Sequence, residues 1–153
     1  FDNAVAKINS LNLKNILNYQ VLEKKKPILG ICLGMQLLTR SSEEGLLPGL
    51  GWIPADTIKF DSNTGIRIPH MGWNFVKSYR ESPLSVNLEL DSKFYFVHSY
   101  YVKVDNDENS VFKCSYGNVF DAAIQKDNIF GAQFHPEKSH RYGMQFLQNF
   151  ANL

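Results

Sequence analysis

A short apolar run, Ile28-Leu29-Gly30-Ile31, leads straight through Cys32 into Leu33-Gly34-Met35-Gln36-Leu37-Leu38. The first part reads as a buried strand and the second as a helix, with no breaker before Ser41-Ser42. A chain that passes from strand to helix with no room for a loop belongs in an α/β sheet. The preceding segment agrees. Leu13, Ile16, Leu17 and Val21 recur at spacings of three and four, so a helix capped by Asn12 is expected to end at Pro27. An earlier helix, capped by Asp2 or Asn3, is expected through about Ile8. Helix, strand and helix in that order call for at least one buried parallel strand.

The middle of the chain changes character. Thr57-Ile58-Lys59-Phe60 alternates as a strand, and Asp61-Ser62-Asn63-Thr64-Gly65 makes a turn into Ile66-Arg67-Ile68, so a hairpin is expected. Further strands are expected at Phe94–Val97, Tyr100–Val102, Val111–Cys114, Ala122–Gln125 and Ile129–Phe134, with Asp105–Asn109 as a polar turn. A closing helix from about Arg141 puts Tyr142, Phe146, Leu147 and Phe150 on one face. No repeat, low-complexity segment or linker interrupts residues 1–153, so one α/β domain with an antiparallel extension is expected.

Composition excludes several functions. Sixteen basic against fifteen acidic side chains give a net charge of +1, too little for a broad nucleic-acid-binding surface. Lys24-Lys25-Lys26 reads as a solvated helix end. Cys32 and Cys114 form no CxxC pair, which argues against a disulfide scaffold and a zinc finger. No cofactor or metal is suggested, because His and carboxylate side chains do not cluster at ligand spacing. No apolar stretch reaches the ~18 residues that span a bilayer. The first residues have no signal-peptide pattern, so a cytoplasmic, reduced protein with no membrane partner is expected.

Gly30-Ile31-Cys32-Leu33-Gly34 has the form of a nucleophile elbow, in which a reactive side chain sits on a strained turn between strand and helix. The helix end would aim N–H groups and its positive pole at Cys32 and favour a thiolate. The plain alternative is a buried structural cysteine between two packing glycines. Cys114, in an alternating strand, reads as core. A thiol nucleophile needs a base, and the base needs something to orient it. Among His70, His98, His135 and His140, His135 stands out: it follows an apolar strand, and Glu137 two residues on can reach its ring. A Cys32–His135–Glu137 triad for acyl transfer follows. His98 reads as structural or as a substrate-site residue, and His140 as an exposed neighbour of a helix start.

Gly-Ile-Cys-Leu-Gly-Met-Gln (30–36) and Phe-His-Pro-Glu-Lys-Ser (134–139) resemble the two hallmark motifs of class I, triad-type glutamine amidotransferases. Pro-His-Met-Gly-Trp-Asn (69–74) and Tyr-Phe-Val-His-Ser-Tyr (95–100) narrow the resemblance to the glutaminase subunits of imidazole glycerol phosphate synthase. That resemblance implies a three-layer, flavodoxin-like α/β sandwich with a mixed sheet and an antiparallel extension. It implies that Cys32 attacks the amide of L-glutamine, with His135 as acid and base and Glu137 orienting it. Leu33 and Gly34 fall at the oxyanion position, and Gln36, Ser99 and Tyr100 at the positions that hold glutamine. Met71, Trp73, Asn74, Tyr95 and Lys138 map to a heterodimer interface with a (β/α)8-barrel cyclase, which would take up the ammonia. Without a partner, Trp73 and Tyr95 read as core aromatics and Lys138 as a solvated charge.

Two departures matter. Family members carry a further N-terminal stretch with a strand and a Gly-rich oxyanion loop, and Phe1-Asp2-Asn3-Ala4 resembles the segment after that loop. An N-terminally incomplete domain lacking some strands is therefore expected. Ser139–Met144 differs from the commoner histidine-pathway form and is similar to paralogues that supply ammonia for amidino sugars in surface polysaccharides. A silent regulatory protein and a γ-glutamyl peptide hydrolase are the other readings. The intact triad disfavours the first, and Met-Gly-Trp-Asn with Lys138-Ser139 disfavours the second.

Overall fold

The computed structural model describes residues 1–89 and 91–153. Two helices, α1 (Asp2–Ser10) and α2 (Leu13–Asn18), precede strand β1 (Ile28–Ile31) and the short helix α3 (Leu33–Leu37). Eight strands follow in order: β2 (Ser41–Ser42), β3 (Ala55–Lys59), β4 (His70–Ser78), β5 (Lys93–His98), β6 (Tyr100–Val104), β7 (Ser110–Tyr116), β8 (Asn118–Lys126) and β9 (Ile129–Ala132). Helix α4 (His140–Ala151) closes the chain. The nine strands of the described residues join one sheet along the path β2-β3-β6-β8-β7-β4-β5, with β9 pairing β8 and β1 pairing β9. The pairs β1–β9 and β2–β3 are parallel and the others antiparallel, so the expected mixed sheet with an antiparallel extension is present.

Successive side chains of a strand face opposite sides, and β9 shows what that builds. Phe130 joins a core with Phe94, Phe96, Phe134 and Phe146, which α4 covers. Ile129 joins the other core with Val21, Met35, Leu38, Trp52 and Val102. The sheet thus separates two apolar layers. Among the described residues, no helix is long and apolar enough to cross a membrane.

Several local expectations are corrected. Phe1, not Asp2 or Asn3, caps α1, and the Asp2 carboxylate instead accepts from the backbone N–H groups of Leu46 and Leu47 at 3.0–3.1 Å. Asn12 does stand at the cap of α2, but it acts through a left-handed backbone (φ 54°) and makes no side-chain cap. The second helix does not keep one period. A π-helical turn spans Tyr19–Glu23, so Val21 is buried while Leu13 and Ile16 stay exposed. The hairpin partner expected at Ile66-Arg67-Ile68 is not a strand: β3 pairs with β6 instead, and Pro69 has no N–H to give a ladder. Those two isoleucines pack against the core from outside the sheet.

Where β4 begins and β5 ends, a buried pair of histidines, His70 and His98, stands in register. His98 Nδ1 is 2.7 Å from the Tyr100 carbonyl, which can only accept, so Nδ1 carries the proton and Nε2 is the acceptor. His70 Nδ1 therefore donates to His98 Nε2 at 3.0 Å, and His70 Nε2 accepts from Asn74 Nδ2 at 3.3 Å. A second bond from Asn74 Nδ2 to the Ser115 carbonyl fixes the far end. Both rings must be neutral for this order to hold. Burial pushes His70 down to about 4 and His98 to about 3, the latter against the pull of the Tyr100 carbonyl.

Unfolded imidazoles take up protons near pH 6.5 while these two do not, so folding stability is complete above that pH and falls as pH drops below it. Chemical unfolding between pH 7 and pH 5, above the main carboxylate range, is expected to lose up to about 1.4 kcal/mol per pH unit for each histidine. A flat stability over that interval would contradict the neutral pair.

Candidate active site

The register of β1 on β9 builds the site. Ile31 pairs with Ala132, and the N–H of Cys32 donates to the Ala132 carbonyl at 2.7 Å, so the elbow begins where the parallel ladder ends. Cys32 takes φ 51° and ψ −108°, a conformation that costs a non-glycine residue about 1–3 kcal/mol. Gly30 makes the turn possible, since a Cβ there would stand 2.5 Å from the backbone of Gly34. Gly34 itself has open space on the corresponding side, so only one of the two flanking glycines is needed to let the backbone pass. Leu33 opens α3 directly after Cys32.

His135 follows β9 and is pinned from two sides. Its N–H donates to the Tyr95 carbonyl at 2.9 Å, in an isolated bridge to β5. Ser139 Oγ donates to the His135 carbonyl at 2.6 Å and accepts from the Tyr95 N–H at 3.0 Å. His135 Nδ1 lies 2.7 Å from Glu137 Oε1, as expected, and among the described residues Nε2 has no hydrogen bond. The two parallel strands therefore deliver Cys32 and the His135–Glu137 pair to one end of the sheet, and the Glu137 charge acts on the Cys32 sulfur.

The expected thiolate is not favoured at rest. Burial pushes the Cys32 thiol above its ordinary value, and the Glu137 and Glu44 carboxylates push it further. Hydrogen bonds from the Leu33 N–H and the Gln133 amide pull the other way but do not prevail. The helix-end contribution is real, as the Leu33 bond shows, but α3 has only five residues and the desolvated sulfur outweighs it.

An open cleft of about 360 Å³ is lined by Cys32, Leu33, Gln36, Glu44, Ser99 and Tyr100, among others. Every expected oxyanion and substrate position except Gly34 thus lines the same cleft. Gln36 is mostly buried, and its Nε2 donates to the Tyr100 carbonyl (3.2 Å) and to Gln133 Oε1 (3.1 Å). Met71 and Trp73 are exposed on one face of β4. Tyr95 stands opposite Trp73, edge-on at 6.2 Å, and Lys138 Nζ lies 5.8 Å from the Tyr95 ring. Asn74 does not join them: its amide turns to His70 on the opposite face. His140 opens α4 and stacks on Trp73 at 5.3 Å. Among the described residues, no three His, Cys, Asp or Glu side chains are grouped to hold a metal.

Residues 7–153 match the family model of class-I glutamine amidotransferases. This chain belongs to that family. Within it, the chain is 53% identical over 150 residues to imidazole glycerol phosphate synthase subunit HisH 2 of Methanococcus maripaludis, covering 98% of this chain and 74% of that protein. It is 45% identical over 153 residues to subunit HisH 2 of Pseudomonas aeruginosa, covering 100% and 76%. The chain is thus an amidotransferase of the HisH branch that spans about three-quarters of these curated relatives.

Solved structures agree on the fold. A glutamine amidotransferase from Thermotoga maritima superposes with TM-score 0.62 at 19% identity, over 96% of this chain and 56% of that one. Another glutamine amidotransferase gives 0.63 at 15%, over 94% and 71%. Two residues at the site of this amidotransferase have roles that the sequence alone does not reveal. Ser139 closes the Phe-His-Pro-Glu-Lys-Ser motif, but nothing in that motif signals its bridge between His135 and Tyr95. Gln133, wholly buried beside the sulfur, carries no signal beyond its place two residues before His135.

Proposed function

We propose that the protein hydrolyses L-glutamine to glutamate and ammonia through Cys32, His135 and Glu137, and passes the ammonia to a (β/α)8-barrel cyclase that makes imidazole glycerol phosphate in histidine biosynthesis. The observation that carries this reading is the strained Cys32 elbow at the end of β1, beside the β9 exit that holds the His135–Glu137 pair at 2.7 Å.

In the proposed reaction His135 Nε2 takes the thiol proton as Cys32 Sγ attacks the side-chain carbonyl carbon of glutamine. The negative charge that develops on the carbonyl oxygen is met by the Leu33 N–H, which can leave the sulfur once the substrate is bound. His135 then gives the proton to the departing nitrogen, ammonia leaves, and a γ-glutamyl thioester remains. His135 next removes a proton from water, which attacks the thioester and releases glutamate and the thiolate, and the thiolate recovers its proton from His135. Glu137 holds Nδ1 protonated throughout, so Nε2 is the working nitrogen. Because the resting thiol is held neutral by burial, attack requires proton transfer to His135 in the same step.

The partner reading rests on exposed Met71, Trp73 and Lys138 with half-buried Tyr95 between them, an aromatic patch with a basic rim of the kind that suits a protein contact. Glutamate release by the full-length protein should be low alone and rise when the barrel partner and that partner's ligand are added. The ligand that triggers it distinguishes the histidine pathway from an amidino-sugar pathway. Equal release with and without the loaded partner would remove the coupling from the proposal.

A further inference from the structure

We propose that Gln133 is a further residue of the reaction centre: its amide donates a hydrogen bond to the Cys32 sulfur, and a chain of buried amide and imidazole groups running back to β4 holds that donor in place. The inference rests on the proposed role of Cys32 as nucleophile. Gln133 Nε2 lies 3.7 Å from Cys32 Sγ, within reach of an N–H to sulfur bond, and Gln133 is wholly buried.

The direction of that amide follows from its neighbours. The Tyr100 carbonyl can only accept, so the Gln36 atom facing it is the NH2 nitrogen. The same nitrogen faces Gln133 at 3.1 Å, and a second NH2 there would oppose donor to donor. Gln133 therefore turns its oxygen to Gln36 and its NH2 to the sulfur. The Tyr100 carbonyl that sets this order is itself held by His98 Nδ1–H, with His70 and Asn74 behind it. One run of donors and acceptors thus reaches from β4 to the nucleophile, with each proton assigned by a carbonyl at its end.

The bond acts when sulfur is negative, which happens twice: as Cys32 loses its proton to His135, and as the thiolate leaves the thioester. A donor to a charged acceptor is worth more than one to a neutral acceptor, so Gln133 favours those states over the resting thiol. Glu137 and Glu44 oppose the thiolate, the Leu33 N–H supports it, and His98 lines the same cleft as Cys32.

The test is the pH dependence of Cys32 alkylation by iodoacetamide in the full-length protein, read by peptide mass, with glutamate release measured in parallel. Cys114 is buried and its thiol is pushed up to about 12, so it does not compete. Gln133→Met keeps the volume and removes the donor. Its alkylation midpoint is expected to rise by about one pH unit, with kcat/KM for glutamate release about ten-fold lower. Gln36→Met, which leaves Gln133 without its anchor, is expected to shift the midpoint the same way by less, and serves if Gln133→Met does not fold. An unchanged midpoint in a folded Gln133→Met protein, or in Gln36→Met where that variant stands in, overturns the proposal. A shifted midpoint in a protein whose parent releases no glutamate with any partner keeps the Gln133 bond and removes the glutaminase reading instead.

Discussion

Cys32→Ala is expected to lower partner-stimulated glutamate release by about 10⁴-fold or more, and His135→Asn by about 10³-fold or more. The size follows from the division of labour in the proposed mechanism. Without the sulfur there is no thioester, and water must attack an unactivated amide with only the backbone donor and binding to help. Without the imidazole, a thiol already raised by burial and two nearby carboxylates has no acceptor for its proton, and the leaving nitrogen has no donor. The two losses belong to one unit, so the double variant should be little worse than Cys32→Ala alone. Single-turnover and steady-state assays of the three variants check this. Losses that multiply would mean that Cys32 and His135 act in separate steps.

The second large effect concerns folding. Gly143→Ala is expected to destabilise the protein by about 3 kcal/mol, although the same change inside a free helix would stabilise it by about 1 kcal/mol. Gly143 lies within α4, where a Cβ would stand 1.8 Å from the carbonyl oxygen of Pro136 and 2.7 Å from its carbonyl carbon. That contact is with backbone, so no side chain can rotate away. Either α4 lifts from Phe94 and Phe134, which Phe146 packs against, or the Pro136-Glu137 turn moves and loosens the grip on His135. At roughly 2–4 °C per kcal/mol for a domain of this size, the melting temperature should fall by about 6–12 °C, with lower activity in the folded fraction. An unchanged melting temperature would show that α4 can slide at no cost.

How much of this was legible in the sequence depended on whether a signal was local. Ile28–Ile31 followed by Cys32 and the α3 residues showed both the strand and the elbow, because the tight transition is encoded within a few residues and Gly30 is its steric requirement. His135 and Glu137 were legible because they lie two residues apart, although a 3-10 turn over Pro136–Lys138, and not an extended chain, brings the carboxylate to the ring.

What failed depended on distant partners. Asp2 looked like a helix cap, but its carboxylate serves Leu46 and Leu47 in a loop that folds onto it from elsewhere. The Leu13 and Ile16 stripe looked apolar and inward until a π-helical turn changed the phase toward Val21. Ile66–Ile68 had a strand's composition, but β3 found its partner in β6, and no local pattern reports that choice. Gln133 and Ser139 are polar residues whose roles exist only once β9, β5 and α3 have met. The thiol's upward shift was hidden likewise, since burial is a property of the whole fold.

The most direct measurement is the mass of the full-length protein, acid-quenched during turnover of glutamine with its barrel partner and that partner's ligand. A gain of one γ-glutamyl group, mapped to Cys32 and absent in Cys32→Ala, is the expected result. Rapid glutamate release with no adduct on Cys32 at any quench time, or an adduct on another residue, would contradict nucleophilic catalysis by Cys32.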